Sequence, residues 1–391
     1  MSNLLSKATC IEILKKNLKH EFVLVDFTLE NINSDTLGFL GDHLLLKIFY
    51  RIQGETREET FFVKCHPQVN ENQEECLDLG LIRREVTFYK EIVSKLQSLV
   101  PVKFSPEFYF GKDDDVLVLE NLHTKNFHVS DEIYLSKDKL KSVIINQANM
   151  HAASIIFEDS RSMLHEFQED LTQNRLDYVE GHIRCEWRNN GIRCVAKLCS
   201  YFTGRSDIEK RVLEYSANEM TKFDHIYEDG VNVFCHNDLW GNNLMFNENH
   251  QCRFVDFQLA KYGPPAWDFL KVLYFNTEYN WLQPHLSEFI NLYFDTFDLV
   301  LTENKIKSFS KKEFLETVEL YKKPVFLEVC ICCTYIFMSN EFNNTLRQQK
   351  DVIHEFDFVD RSKYIFPEME RDEFVKDRFR NIIVPLCEMF N

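Results

Sequence analysis

Residues 234–257 read FCHNDLWGNNLMFNENHQCRFVDF, and this stretch decides how the chain is read. It holds His236, Asp238 and Asn243 in the spacing His-x-Asp-x-x-x-x-Asn, with Asp256 at the end of a following apolar run. Moving a γ-phosphoryl group calls for these residue types together. The transition state is loose and its charge is spread over oxygens, so a protein mainly positions the hydroxyl and neutralises charge. Asp238 is suited to orient that hydroxyl and accept its proton. Asn243 offers a neutral amide oxygen and Asp256 a charged one, a pair that fits Mg²⁺, a hard ion that takes oxygen ligands. The apolar, β-branched run VNVF leads into the motif, while NNLMF and CRFVDF flank the polar turn NENHQ and predict a hairpin ending at Asp256. Incidental carboxylates at a turn and a strand end are the competing reading of either fragment alone. The two fragments in this order, one hairpin apart, favour phosphotransfer.

The same chemistry needs a lysine for phosphate and an acid to hold it. Thr60 to Lys64 reads as an aromatic, β-branched strand, preceded by a strand-like run from Leu44 to Arg51 across the polar turn QGETREE. Lys64 shares a face with Phe62. Downstream, Leu81, Val86, Tyr89 and Ile92 recur near helical spacing, which puts Glu85 on a helix as the candidate partner of Lys64; Glu74, Glu75 and Glu91 are rivals. Upstream, Gly38 to Asp42 lies between two apolar runs, so backbone amides around Gly41 are candidates to approach ATP phosphates. A plain hairpin turn accounts for that stretch equally well. Val116 to Leu122 reads as a buried strand that breaks into polar residues. In a kinase of two lobes the chain crosses between them here, and backbone groups of Glu120, Asn121 and Leu122 meet adenine.

The segments FFVK, REVTFY, VLVLENL, QANMHAAS, FCHNDLWGNNLMF and RFVDFQLAKYGPPAWDFLKVLY resemble the ecdysteroid kinase-like family, a choline-kinase-like branch of the protein-kinase-like superfamily found widely in insects. The resemblance implies an α+β, bilobal protein-kinase-like fold: a small N-lobe with an antiparallel sheet plus one helix, and a larger, mainly helical C-lobe. It also implies ATP and Mg²⁺ as cofactors and a small-molecule hydroxyl as acceptor, with ecdysteroids as the founding substrate class. By position, Lys64 matches the ATP-binding lysine and Glu85 its helix partner. Asp238 matches the catalytic aspartate, Asn243 and Asp256 the metal ligands, and Glu120 to Leu122 the hinge. Many relatives carry Gly where this chain has Asn237; Asn is a tolerant residue if that position has a positive φ. Pro265 and Trp267 flank Asp268 where relatives carry smaller residues. Asp268 is expected to hydrogen-bond the loop backbone, a structural task, and His236 to hold the loop without transferring protons.

Composition narrows the function classes. With 391 residues and 45% apolar content, the chain can bury a large core and divide in two, with the boundary placed at Leu122 to give lobes 1–122 and 123–391. The net charge of −17 disfavours nucleic acid or anionic membrane as the main partner, since both require a basic surface. Neither a signal peptide nor a span-length apolar run is read, so a cytoplasmic, reducing compartment is expected, with the protein a monomer. The twelve cysteines are then thiols. Cys330, Cys332 and Cys333 have no matching Cys or His pair at zinc-site spacing and read as small apolar residues of a buried helix. His151 reads as a core histidine, and Asp113 to Asp115 as a solvated hairpin turn.

Helical spacing covers Lys137 to Asp159, Val212 to Glu228, Trp267 to Asn276, Leu286 to Thr302, Lys311 to Met338 and Glu370 to Phe390. The helices after Asp268 are placed around the acceptor. Their aromatics, Trp281 among them, suit a sterol-sized ligand but equally form ordinary core. Three functions stay open: a kinase of an ecdysteroid or related sterol or xenobiotic, a choline, ethanolamine or aminoglycoside-like kinase, and a catalytically inactive nucleotide- or ligand-binding protein. A cationic acceptor would need carboxylates or an aromatic cage.

Overall fold

The structure is a computed structural model, which describes residues 4–32, 42–66, 80–112, 115–172, 177, 179–223, 226–227, 230–307, 309–339, 342 and 349–391. The candidate loop position Gly41 and the rivals Glu74 and Glu75 lie outside the described residues. The chain forms two compact units, one of residues 1–161, 238–260 and 299–304, the other of 162–237, 261–298 and 305–391.

The first unit is organised by a five-stranded antiparallel sheet of β1 (Val23–Asn31), β2 (Asp42–Ile52), β3 (Glu55–Cys65), β4 (Phe108–Lys112) and β5 (Val116–Glu120), in the order β1-β2-β3-β5-β4. Alternation explains its core. Leu44, Leu46, Ile48 and Tyr50 of β2 and Phe61, Val63 and Cys65 of β3 turn one face inward, where Cys10, Ile13 and Leu14 of the helix Lys7–Asn17 pack against them. The turn between β2 and β3 is shorter than the polar run suggests. Ile52 pairs with Glu55, so only Gln53 (φ 50°) and Gly54 (φ 91°) make the turn, the positive-φ pair that tight hairpins favour. Thr56 to Glu59 continue as strand because a solvated strand extension needs no apolar residues.

Leu81 to Val93 is helical as the spacing predicts, but it is an α-helix only over Leu81–Thr87. A π-helical turn follows at Phe88–Val93, and α-helix resumes at Ser94–Ser98. Such turns are rare and recur at functional sites. The expected hairpin is present: Leu244–Phe246 pairs with Cys252–Phe254, and His128–Val129 adds a third strand. It is fixed from outside by Phe254 N donating to Phe104 O at 2.7 Å and by Asn146, on the helix Lys137–Glu158, donating to Cys252 O at 2.8 Å. His151 of that helix is fully buried.

Among the described residues the second unit is mainly helical, with a two-stranded ladder, Val233–Cys235 against Lys261–Gly263. The expected helices are found at Pro265–Asn276 and Lys311–Ile336, and one running Leu286–Glu303. Others differ from the reading. The helix placed at Val212 to Glu228 runs instead over Ser206–Asn218. The stretch Glu370 to Phe390 is broken at Asp372, whose extended backbone ends Ser362–Arg371 and whose side chain caps Glu373–Glu388 by accepting from Phe374 N at 2.9 Å. Helices Met163–Leu171 and Ile183–Thr203 were not anticipated. Cys330 and Cys333 are buried in Lys311–Ile336, and burial pushes both thiols well up; among the described residues no metal-ligating group contains them. No helix among the described residues is long and apolar enough to cross a membrane.

Candidate active site

The site begins with where the strands end. Lys64 is the penultimate residue of β3, on the face opposite Val63, and is only 4% exposed although it carries a charge. A buried ammonium is stable only with partners, and three oxygen acceptors surround it. Glu85 Oε2 lies at 2.7 Å, Asp256 Oδ1 at 2.9 Å and Gln258 Oε1 at 3.3 Å from Nζ. Burial acts against the ammonium, but the charges of Asp256 and Glu85 overcome it and hold the Lys64 pKa above the ordinary lysine value. Burial pushes the Glu85 carboxyl up to about 7 while Lys64 pulls it down. Glu85, not Glu91, is the partner; Glu91 pairs with Lys95 at the surface.

The short Phe257–Leu259 turn brings the acids together. Asp256 has φ 66° and ψ 68°, a left-handed conformation that Asp tolerates better than most residues. Behind it the Phe257 ring stands edge-on to Tyr89 at 5.2 Å, one helical turn beyond Glu85. Arg84 donates to Ala260 O at 3.0 Å, which binds the Glu85 helix to the far end of the same turn.

Asp238 and Asn243 form the other part. The Asn243 amide donates at 2.8 Å both to the Asp238 backbone carbonyl and to its Oδ2, which orients the carboxylate and turns the amide oxygen the other way. Val255 N donates to Asn243 O at 3.1 Å, so one backbone bond separates Asn243 from the residue preceding Asp256. The donors these two residues offer outward are oxygens, one neutral and one charged. That set fits Mg²⁺ and does not suit a soft metal.

Within the second unit, the backbone just before Asp238 is held by Asp268. His236 N donates to Asp268 Oδ2 at 3.1 Å and Asn237 N to Oδ1 at 2.7 Å, the structural task expected of that residue. Asn237 has φ 66°, and its side-chain oxygen accepts from Trp267 Nε1 at 3.0 Å and Lys271 Nζ at 3.2 Å. The Trp267 departure therefore has a use: Trp267 braces Asn237.

The hinge candidates are engaged by their side chains. Glu120 accepts from Glu107 N and pairs with Lys103 and Lys125; burial raises its carboxyl, yet the two lysines hold it below its ordinary value. Asn121 donates to Thr60 Oγ1 at 2.9 Å and caps the turn Leu122–Lys125, and Leu122 is buried. What these residues can present to a ligand is backbone. The aromatics after Asp268 largely pack on one another: Tyr293 against Phe269, Phe297 and Phe314, Tyr274 against Phe326, and Trp281 against His285. A groove lined by Arg211, Tyr215, Lys323 and Phe390 contains none of the candidate residues. Gln258 is the member that sequence reasoning missed; its only signal was its place two residues after Asp256.

A model of the ecdysteroid kinase-like family matches residues 39–306. An uncharacterised kinase-like protein of Caenorhabditis elegans is 22% identical over 279 residues, which cover 66% of each chain, just under two thirds of that relative's length. Among solved structures, an ethanolamine kinase of Plasmodium vivax aligns over 93% of this chain and 83% of its own, with 13% identity and a TM-score of 0.42. A choline kinase of Streptococcus pneumoniae aligns over 97% and 99%, with 13% identity and a TM-score of 0.38.

Proposed function

The chain belongs to the ecdysteroid kinase-like family, and from that premise we propose that it transfers the γ-phosphoryl group of ATP to a hydroxyl of a small molecule, an ecdysteroid or related sterol or xenobiotic. The observation that carries this reading is the buried Lys64, paired with Glu85 at 2.7 Å and Asp256 at 2.9 Å. A fully buried lysine is rare and is found paired, as Lys64 is here, in the arrangement that phosphate binding calls for.

Residues 1–122 are the nucleotide lobe in this reading, with the backbone of Glu120 to Leu122 on adenine and the amides near Gly41 on phosphate. Asp238 Oδ accepts the proton of the acceptor hydroxyl as its oxygen forms a bond to the γ-phosphorus. The bond from that phosphorus to the β–γ bridging oxygen breaks, and ADP leaves. Lys64 neutralises phosphate charge, and Glu85 keeps it in place. Asn243 and Asp256 would hold Mg²⁺, which supplies further charge neutralisation when bound. The Asn243 amide keeps Asp238 aimed during this step.

The test is incubation of the protein with ATP, Mg²⁺ and panels of steroids and amino alcohols, with mass detection of a gained phosphate. A steroid phosphate is the expected product. A phosphorylated amino alcohol would redirect the acceptor class, and ATP binding without any phosphoproduct would favour a ligand-binding protein.

A further inference from the structure

We infer that Gln258 is a positioning residue that holds Lys64 while no nucleotide is bound and yields to a phosphate oxygen when ATP arrives. This rests on the kinase reading above. An ammonium has three N–H donors, and Lys64 Nζ has three oxygen neighbours, Glu85, Asp256 and Gln258. Asp256 and Gln258 accept hydrogen bonds from this nitrogen and Glu85 lies against it as an ion pair, so a phosphate oxygen that approaches Lys64 competes with these oxygens for it. The three differ in how firmly they hold. Glu85 and Asp256 are charged and close, and charge-assisted bonds are the strong ones. Gln258 is neutral and the most distant, at 3.3 Å. It is also 5% exposed and sits on the turn that starts at Asp256, so it is buried with the cluster and not in solvent.

The charge type at this position matters for the same reason. Glu85 and Asp256 already give Lys64 two carboxylates, and a third would both grip the ammonium and repel an incoming phosphate. A neutral amide accepts a hydrogen bond from the ammonium without adding negative charge. Gln258 therefore competes with the nucleotide for Lys64, and competes weakly.

A competitor and a supporter predict opposite signs. The experiment measures ATP dissociation constants in Mg²⁺ by calorimetry for the wild type, Gln258→Met and Gln258→Glu, with thermal unfolding as a folding check. Gln258→Met, which keeps the bulk and removes the acceptor, is expected to tighten ATP about threefold to tenfold, the scale of one net hydrogen bond. Gln258→Glu is expected to weaken it at least about tenfold, in line with charge-assisted bonds of roughly twice the neutral strength. Weaker ATP binding by Gln258→Met, or unchanged binding by Gln258→Glu, overturns the inference while leaving the kinase reading intact. If Gln258→Met does not fold, Gln258→Asn, one methylene shorter, carries the same expected sign. A wild type that binds no ATP removes the kinase reading and this inference with it.

Discussion

Two parts of the candidate site are built on opposite principles. Around Lys64, three charged groups come together from β3, the Glu85 helix and the turn at Asp256; Lys64 and Glu85 are buried, Asp256 is partly exposed, and the attraction of Lys64 for both carboxylates keeps them in place. Around Asp238 the fixings are neutral or made to backbone: an Asn243 amide, and for the preceding residues two N–H groups on Asp268 and a left-handed Asn237. The first part stores charge, and the second stores shape. A charge-changing substitution should therefore disturb stability in the first part and turnover in the second.

The sharpest separation comes from Asp238→Asn. The new amide can keep an oxygen toward Asn243, so folding and ATP binding are expected to persist while turnover falls about 10²–10⁴-fold, the usual contribution of a positioned base. Single-turnover assays with calorimetric ATP titration check this; loss of folding would show that the loop also depends on charge. Lys64→Met removes the cation placed on phosphate, so it should weaken ATP binding and, unlike Asp238→Asn, also destabilise the fold. It leaves the buried Glu85 and the partly exposed Asp256 without their cation, and breaking a buried pair such as Lys64–Glu85 by removing one partner destabilises by about 3–5 kcal/mol. Denaturant unfolding measures it, and a loss under about 1 kcal/mol, the range of surface pairs, would mean the cage is solvated.

Glu85 sharpens the comparison through pH. Its folded pKa of about 7 stands above the ordinary glutamate value of 4.5, with burial the main cause. The folded protein therefore binds this proton more tightly than the unfolded chain does. The sign follows: the stability linked to this group is fully present below pH 4.5 and is lost as pH rises through about 7. Relative to Glu85→Gln, the wild type should gain stability as pH falls across that window, by at most about 1.4 kcal/mol per pH unit. A flat difference between the two unfolding curves from pH 4.5 to 7 would contradict it.

How much of this was legible in the sequence follows the same division. Lys64 and Asp256 stand at strand ends, Glu85 falls on a helical period, and Asp238 and Asn243 share one spaced motif, so these five could be found from residue type and spacing. The hairpin before Asp256 was visible because its turn is polar and its strands are not. Backbone features were hidden: the π turn at Phe88–Val93 preserves near-helical spacing, and nothing in the letters DFQ marks Asp256 as left-handed. The helix Ile183–Thr203 was missed because its buried face includes Arg188, Asn190 and Gly191, which break the apolar period. Gly191 is there for space: a Cβ would meet Ile331 Cγ2 at 2.6 Å and the Arg361 guanidinium at 2.7 Å. Arg361 in turn is fully buried, stacked over Trp187 at 4.2 Å and donating to Thr334 and the Trp187 carbonyl, so a polar residue fills a core position.

Asn237 tests whether shape is what the second part stores. The residue does two things at once: it adopts φ 66°, and its side-chain oxygen receives Trp267 and Lys271. Asn237→Gly keeps the first and loses the second, whereas Asn237→Ala loses both. A left-handed residue with a Cβ is strained by about 1–2 kcal/mol, and each lost hydrogen bond adds about 0.5–1.5 kcal/mol. Stability is thus expected to fall in the order Asn, Gly, Ala, with Ala about 1–2 kcal/mol below Gly. Denaturant midpoints at constant slope measure the order. If Ala equals or exceeds Gly, the left-handed backbone is not what selects Asn at this position, and the loop before Asp238 is held by its side-chain bonds to Trp267 and Lys271 instead.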